Sequence, residues 1–407
     1  METEDLNRLI RSLNSAGEGA ADDPPLVEHV RDEEPSASSP VLAPAPLLAE
    51  GEVSPRLAAL LTETVRRGGT DLLLVPESVP VLRLHGALEP VAAAGGEPLG
   101  TSSAFDLLAP SLSAERRRRY LAEGAVDLSL RVGALGRFRV NLHRTRRGTA
   151  AAIRVLPRKI PALAELGLPE SLYDLTKAAR GLVLVTGATG SGKTTTLAAL
   201  VDRINRTSRR HVVTIEDPVE YEHEHGTSVV EQVEVGVDAP SFAAALVAAL
   251  RQDPDVILVG EMRDLETTRA ALTAAETGHL VLATLHTNDA PQTVNRITDI
   301  FPAEQQGTVR QQLSLALSAV VCQQLVPRAD GKGRAVATEV LLATDAVRAH
   351  VRKGTFHQLH TELTLGRRFG MMTMEDSLAR LVKSGAVTEA EARLRAAHPD
   401  DLAALLR

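Results

Sequence analysis

A short apolar run, Leu182–Thr186, passes into Gly187-Ala188-Thr189-Gly190-Ser191-Gly192-Lys193-Thr194. A helical pattern, Lys193–Asn205, follows with Leu197, Leu200, Val201 and Ile204 on one stripe. This G-x-x-x-x-G-K-[ST] spacing acquires its meaning from that setting, a buried strand turning into an amphipathic helix. The glycines let the main chain fold tightly, so that its N–H groups converge on phosphate oxygens, and the helix N-terminus adds its dipole. The spacing therefore predicts that Gly187–Thr195 wraps the phosphates of ATP, with Lys193 on the β- and γ-phosphates and the Thr194 hydroxyl on Mg²⁺. A chance glycine-rich loop would not be expected between two such elements.

The same rhythm continues downstream. Val212–Glu216, Val256–Val259 and Leu280–Leu285 are further short apolar strands, with helical patterns at Ser241–Arg251 and Leu265–Thr277 between them. Apolar strands alternating with helices predict an α/β fold around a parallel sheet covered on both faces. The region after Thr308 is expected to be mainly helical.

In such a sheet, ligands sit at the carboxyl ends of the strands, so polar residues there are candidates for chemistry. Glu261 follows the strand in Asp253-Pro-Asp-Val-Ile-Leu-Val-Gly260-Glu261 and is expected to face the γ-phosphate, polarising the attacking water or holding Mg²⁺ through water. Glu216, in Thr214-Ile-Glu216-Asp217-Pro218, ends another strand and is a second candidate for water or metal; two carboxylates near one Mg²⁺ are acceptable because the ion offsets their repulsion. The catalytic set is thus Glu261, Glu216 and Lys193. His279 and His286 bracket the strand Leu280–Leu285 and are candidate γ-phosphate sensors, His286 the better placed. Phosphoryl transfer also needs positive charge on its transition state. Arg137, Arg139, Arg147, Arg154 and Arg263 are candidates, although most arginines are simply solvated surface residues.

Upstream of the motif, residues 1–53 are rich in Pro, Ala, Ser and acid without sustained apolar periodicity, and read as a disordered extension. Residues 54–157 read as a small α+β domain. It begins with a helix carrying Leu57, Leu60, Leu61 and Val65 and stopped by Gly68-Gly69; strands follow at Asp71–Pro76 and Val81–Leu84, then a helical stretch near Ser103–Glu123, then strands at Val126–Val132, Gly136–Leu142 and Ala150–Leu156. A basic, proline-bearing segment, residues 158–170, reads as an interdomain linker, and 171–407 as the phosphate-binding domain with a C-terminal helical region.

Composition removes several function classes. One cysteine, Cys322, excludes a disulfide framework and a four-thiolate zinc site, and fits a reducing compartment. No segment approaches the roughly 18–20 apolar residues that cross a bilayer, and the N-terminus lacks the pattern of a secretory signal, so membrane contact is expected to be peripheral. A net charge of −7 and aromatics at 2% argue against nucleic-acid binding, which relies on basic surface and on stacking.

At larger scale, the segments GLVLVTGATGSGKTTTLAALVDRIN, TIEDPVEY, LRQDPDVILVGEMRDLETTRAALTAAETGHLVLATLHT and MTMEDSLARLVKSGAVT resemble the secretion and pilus ATPase superfamily, and within it the twitching-motility, pilus-retraction branch (PilT family). The resemblance runs from about Leu57 to Arg407 and is densest between Gly181 and Thr287. It implies a hexameric ring whose subunits carry a PAS-like N-terminal domain and a RecA-like motor domain. It implies a cytoplasmic location at the inner face of the plasma membrane, an inner-membrane pilus platform protein as partner and a paralogous pilus ATPase as a second one. It further implies that Gly187–Thr194 is the Walker A loop, Glu216 part of the Asp box, Glu261 the Walker B glutamate, and His279 and His286 part of the His box. In a ring, some of the five arginines would reach a neighbouring subunit's ATP as arginine fingers. Assembly and secretion relatives usually carry a four-cysteine zinc insert that one cysteine cannot build, which favours retraction. The sequence departs from the branch at Ala346–Gly354, at Thr70–Leu74 and in the extension before Pro55. The competing readings are a pilus assembly or type II secretion ATPase, and a non-hydrolysing regulator of a sister motor.

Overall fold

The computed structural model describes residues 53–407, apart from positions 85, 93 and 94. The expectation of a disordered extension therefore lies outside the described residues, save for Val53. Two sheets organise the rest.

The first contains helix α1 (Pro55–Arg66), strands β1 (Asp71–Leu74), β2 (Val81–Leu84) and β3 (Ala87–Pro90), helices α2 (Ser103–Leu108) and α3 (Ala114–Glu123), and strands β4 (Ala125–Val132), β5 (Gly136–Thr145) and β6 (Gly148–Val155). The sheet runs β3-β2-β1-β6-β5-β4 with every neighbouring pair antiparallel. α1 starts on Ser54, whose hydroxyl accepts from the Leu57 N–H, with Pro55 at the first helical position. Its stripe Leu57, Leu60 and Leu61 is fully buried against Leu72, Leu82, Phe138 and Val140 of the sheet.

The second comprises α4 (Ser171–Leu175), β7 (Gly181–Thr186), α5 (Lys193–Thr207), β8 (His211–Glu216), β9 (Val229–Glu234), α6 (Phe242–Ala249), β10 (Val256–Val259), α7 (Leu265–Glu276), β11 (Leu280–Leu285), α8 (Ala290–Asp299), α9 (Gln306–Ala316), β12 (Leu317–Pro327) and β13 (Arg334–Leu342). The helices α10 (Asp345–Lys353), α11 (Leu359–Leu365), α12 (Met374–Lys383), α13 (Glu389–Arg393) and α14 (Pro399–Leu406) complete the chain. The strand order is β13-β12-β7-β11-β10-β8-β9, parallel throughout except for β13. Both faces are covered. Along β7, Leu182 and Leu184 join a core with α6–α11, while Val183 and Val185 join one with α4 and α5. That two-sided burial is why β7 and β11 are wholly buried and read as continuous apolar runs.

Helices do predominate after Thr308, as expected, but the region also contributes β12 and β13, strands of 11 and 9 residues. The run Leu313–Leu325 carries Leu and Ala at spacings that suit a helix. What decides the matter is non-local, since β12 pairs in parallel with β7 beside the phosphate-binding loop. The pair Val320-Val321 was the local hint. Strands β3 and β9 were also absent from the expectation, being short and partly exposed.

The linker is not free along its length. Leu163 and Leu168 are buried in the same core as Val183, Leu197 and Ile204. Between the sheets, Arg137 of β5 donates to the Val219 carbonyl at 2.9 Å and pairs with Glu222 at 3.3 Å, while Arg131 of β4 also pairs with Glu222.

Candidate active site

The loop from β7 to α5 is shaped by close approach of β12. Gly187 has φ 137°, and a Cβ there would lie 2.3 Å from the Gln323 carbonyl oxygen, so only glycine fits. Gly192, φ 94°, caps α5 in the left-handed region and turns the chain directly into the helix. The Lys193 ammonium donates to the carbonyls of Gly187 at 2.8 Å and Ala188 at 3.1 Å, folding the side chain over the loop. Burial lowers its pKa, while the Glu261 carboxylate acts the other way. The Ser191 hydroxyl is buried with no hydrogen-bond partner among the described residues.

Strands β8 and β10 bring two acids to the same place. Gly260 donates to the Ile215 carbonyl at 2.7 Å and Met262 to the Thr284 carbonyl at 3.1 Å, which holds Glu261 between the ends of β8 and β11. His286, just past β11, bridges the P-loop and this acid: its Nδ1 is 3.4 Å from the Lys193 ammonium and its Nε2 is 3.0 Å from Glu261 Oε1. Arg263 pairs with the same carboxylate oxygen. Glu216 is buried at the end of β8, accepting from the Thr214 hydroxyl at 2.7 Å and from Gln232 Nε2 of β9 at 3.2 Å. Burial pushes its carboxyl up to about 7, opposed by those two hydrogen bonds.

These groups open onto one cleft of ≈ 470 Å³, lined among others by Thr189, Gly190, Lys193, Thr194, Glu216 and Glu261. The arrangement fits a nucleoside triphosphate with a hard divalent cation. It offers main-chain amides at a helix N-terminus, an ammonium, and oxygen donors from Thr194 and two strand-end acids.

Of the expected residues, Thr195, His286, Arg154 and Arg263 also line this cleft. Thr195 shares a 3.0 Å hydrogen bond with the Tyr221 hydroxyl, and Arg154 pairs with Asp71 at 2.9 Å. His279 does not reach it. It sits at the opposite end of β11, its ring nitrogen 3.0 Å from the Ala274 carbonyl at the end of α7, and a six-residue strand spans about 20 Å. Arg137 is 7% exposed and occupied within its own chain, by Val219 and Glu222. Arg139 lies 4.0 Å from Asp127 and Arg147 2.9 Å from Glu77, both outside the cleft lining. Sequence reasoning passed over Tyr221, Gln232 and Arg334. Tyr221 and Arg334 line the cleft, and Gln232 links Glu216 to the Tyr221 carbonyl. Tyr221 stood within a motif already singled out; the other two lie on strands the pattern did not reveal.

Comparison with known proteins agrees with this geometry. The type IV pilus retractation ATPase PilT of Pseudomonas aeruginosa is 41% identical over 345 residues, covering 85% of this chain and 99% of its own. A twitching motility protein of Neisseria gonorrhoeae is 43% identical over 323 residues, 79% of this chain and 86% of its own. The crystal structure of the pilus retraction motor PilT with bound ADP superposes with a TM-score of 0.79 at 42% identity, covering 84% of this chain and 98% of that one. The family model for type II/IV secretion system proteins matches residues 50–404, and the chain is a member of that family.

Proposed function

We propose that this chain is an ATP-hydrolysing motor that powers type IV pilus retraction, the pilin depolymerisation that underlies twitching motility. The observation that carries the reading is the convergence of the Gly187–Thr195 amide loop, Glu216, Glu261 and His286 on one cleft. Likeness to PilT supports the direction of work, and so does the single cysteine, which cannot build a four-thiolate zinc insert.

Lys193 and the loop amides would hold the phosphates, and the Thr194 hydroxyl, with Glu261 acting through water, would hold Mg²⁺. That ion would supply positive charge to offset the charge of the phosphates. Glu216 takes the proton of the attacking water. Its environment brings the carboxyl to about 7, where a base is both ionised in part and strong enough to accept a proton. His286 couples the Lys193 and Glu261 positions, so that it senses the terminal phosphate. Arg154 and Arg263, of the five arginines expected from sequence, lie at the cleft together with Arg334, and these three are placed to stabilise developing negative charge.

The working unit is a homohexamer at the inner face of the plasma membrane, pressing on an inner-membrane platform protein, with a paralogous pilus ATPase as a further partner. No helix among the described residues is long and apolar enough to cross a membrane. The small domain and the motor domain move about the linker. With Leu163 and Leu168 seated in the motor core, the bend falls in residues 157–162.

ATPase assays on purified wild-type, Lys193→Ala and Glu261→Gln proteins test the enzyme: activity unchanged in both variants would end this reading. Tight ATP binding without phosphate release would instead indicate a regulator. Deletion of the gene tests direction, with accumulation of surface pili expected and their loss indicating assembly.

A further inference from the structure

Away from the cleft, two histidines and an aspartate meet where the last helix packs on the C-terminal layer. His360 lies in α11, and His398 and Asp401 lie at the start of α14. One ligand atom from each falls within 4.8 Å of the other two. The imidazole rings of His360 and His398 are 4.3 Å apart between centroids and tilted by 52°. His360 Nε2 is shielded from solvent and has no hydrogen-bond partner among the described residues.

The backbone holds this trio in place. The His398 N–H donates to Glu375 Oε1 at 2.9 Å, and Glu375 is itself 1% exposed in α12. The Leu402 N–H donates to the His398 carbonyl at 3.2 Å, and Leu402 is fully buried in the core of α12 and α13. His398 and Asp401 are thus three residues apart on a turn anchored at both ends. His360 approaches from a separate helix, whose Leu359 and Leu363 are fully buried in the main motor core. Two independently fixed elements therefore present their donors to one point.

We propose that His360, His398 and Asp401 form a binding site for a divalent transition metal, of which zinc fits best. Two imidazoles and one carboxylate suit zinc, while magnesium and calcium prefer oxygen donors. In a tetrahedral zinc site with bonds of about 2.0–2.2 Å, neighbouring donors lie about 3.4 Å apart, which side-chain rotation reaches from the present spacing. His398 and Asp401 are exposed, so water completes the shell and the ion enters from solvent. Bound there, the ion cross-links α14 to α11 and so clamps the end of the chain onto the motor domain. Neither histidine belongs to the nucleotide cleft.

The test uses the full-length protein, stripped with chelator and kept free of nucleotide. Zinc chloride is titrated by calorimetry into wild-type and into the His360→Ala/His398→Ala double variant, and cobalt(II) is followed by visible absorption. Wild-type is expected to bind one zinc per chain, to show the intense absorption of four-coordinate cobalt, and to melt at higher temperature with zinc than with chelator. The double variant is expected to bind at least about tenfold more weakly at this site, to lose the cobalt band and to melt at a temperature zinc does not change. Asp401→Asn provides a milder second variant, expected to weaken binding with its chelator-treated melting temperature unchanged. Equal stoichiometry and affinity in wild-type and double variant, or a wild-type protein that binds no zinc, would overturn the proposal. ATPase activity without added zinc is expected to be the same in all three proteins.

Discussion

Glu216 should be costly to the fold and indispensable to the reaction, and Glu216→Gln separates the two. Glutamine keeps the volume and an oxygen that can accept from both Thr214 and Gln232, the two groups now bound to Oε1, and gives up only the Glu220 backbone N–H that the carboxylate also accepts. The carboxyl is raised from 4.5 to about 7, with burial as the largest cause. The sign follows from linkage. Below pH 4.5 the group is protonated in both states. As pH rises through the window from 4.5 to about 7, the unfolded chain ionises first and folded stability falls; above it the loss is complete. The difference in pKa corresponds to about 3 kcal/mol at 1.36 kcal/mol per unit. For a motor domain of this size that is on the order of 5–10 °C in melting temperature. At pH 8, in chelator and without nucleotide, Glu216→Gln is therefore expected to melt above wild-type, with the gap closing as pH falls towards 5. Its kcat is expected to drop by roughly 10²–10⁴-fold, the contribution of a general base. Wild-type kcat/KM for ATP, which reports the free enzyme, should rise with pH along a limb centred near the folded pKa of about 7, and the residual rate of the variant should lack that limb. A variant that melts at or below wild-type at pH 8, or a gap that does not change with pH, would refute the argument that Glu216 is held in a charge-penalising site.

Other substitutions test separate parts of the arrangement. Gly187→Ala places a Cβ 2.3 Å from the Gln323 oxygen at φ 137°, and is expected to abolish binding of a fluorescent ATP analogue and to cost on the order of 3 kcal/mol in thermal or urea unfolding. His286→Ala removes the 3.0 Å contact to Glu261, and should lower kcat by roughly 10²-fold with little change in KM for ATP; unchanged kcat would remove His286 from the mechanism. Arg137→Met leaves the Val219 carbonyl without its donor and breaks the pair with Glu222, which should cost about 1–3 kcal/mol and speed proteolysis within the linker, read by thermal unfolding and by mapping of cleavage products.

Much of this protein is encoded in short stretches of sequence. The P-loop, the strands β7, β8, β10 and β11 and the helix α5 are legible because local pattern and final environment agree. A strand buried on both faces must be apolar throughout, and a helix with one buried face must repeat near every third and fourth residue. The acids Glu216 and Glu261 could be read as well, because a parallel sheet sends its strand ends to one side. What the residues near Val320 become is settled elsewhere, by the open edge of β7 that β12 pairs with. Tertiary structure also sorted the candidates of like chemistry. His286 and His279 end the same strand, yet opposite ends put one against Lys193 and Glu261 and the other against a helix terminus. Arg154 lines the cleft while Arg137 is enclosed between the sheets. Periodicity tells which face of an element is buried, whereas proximity between distant elements depends on how they pack. The long-range contacts that place Gln232, Arg334 and the His360–His398–Asp401 cluster therefore belong to the folded chain alone.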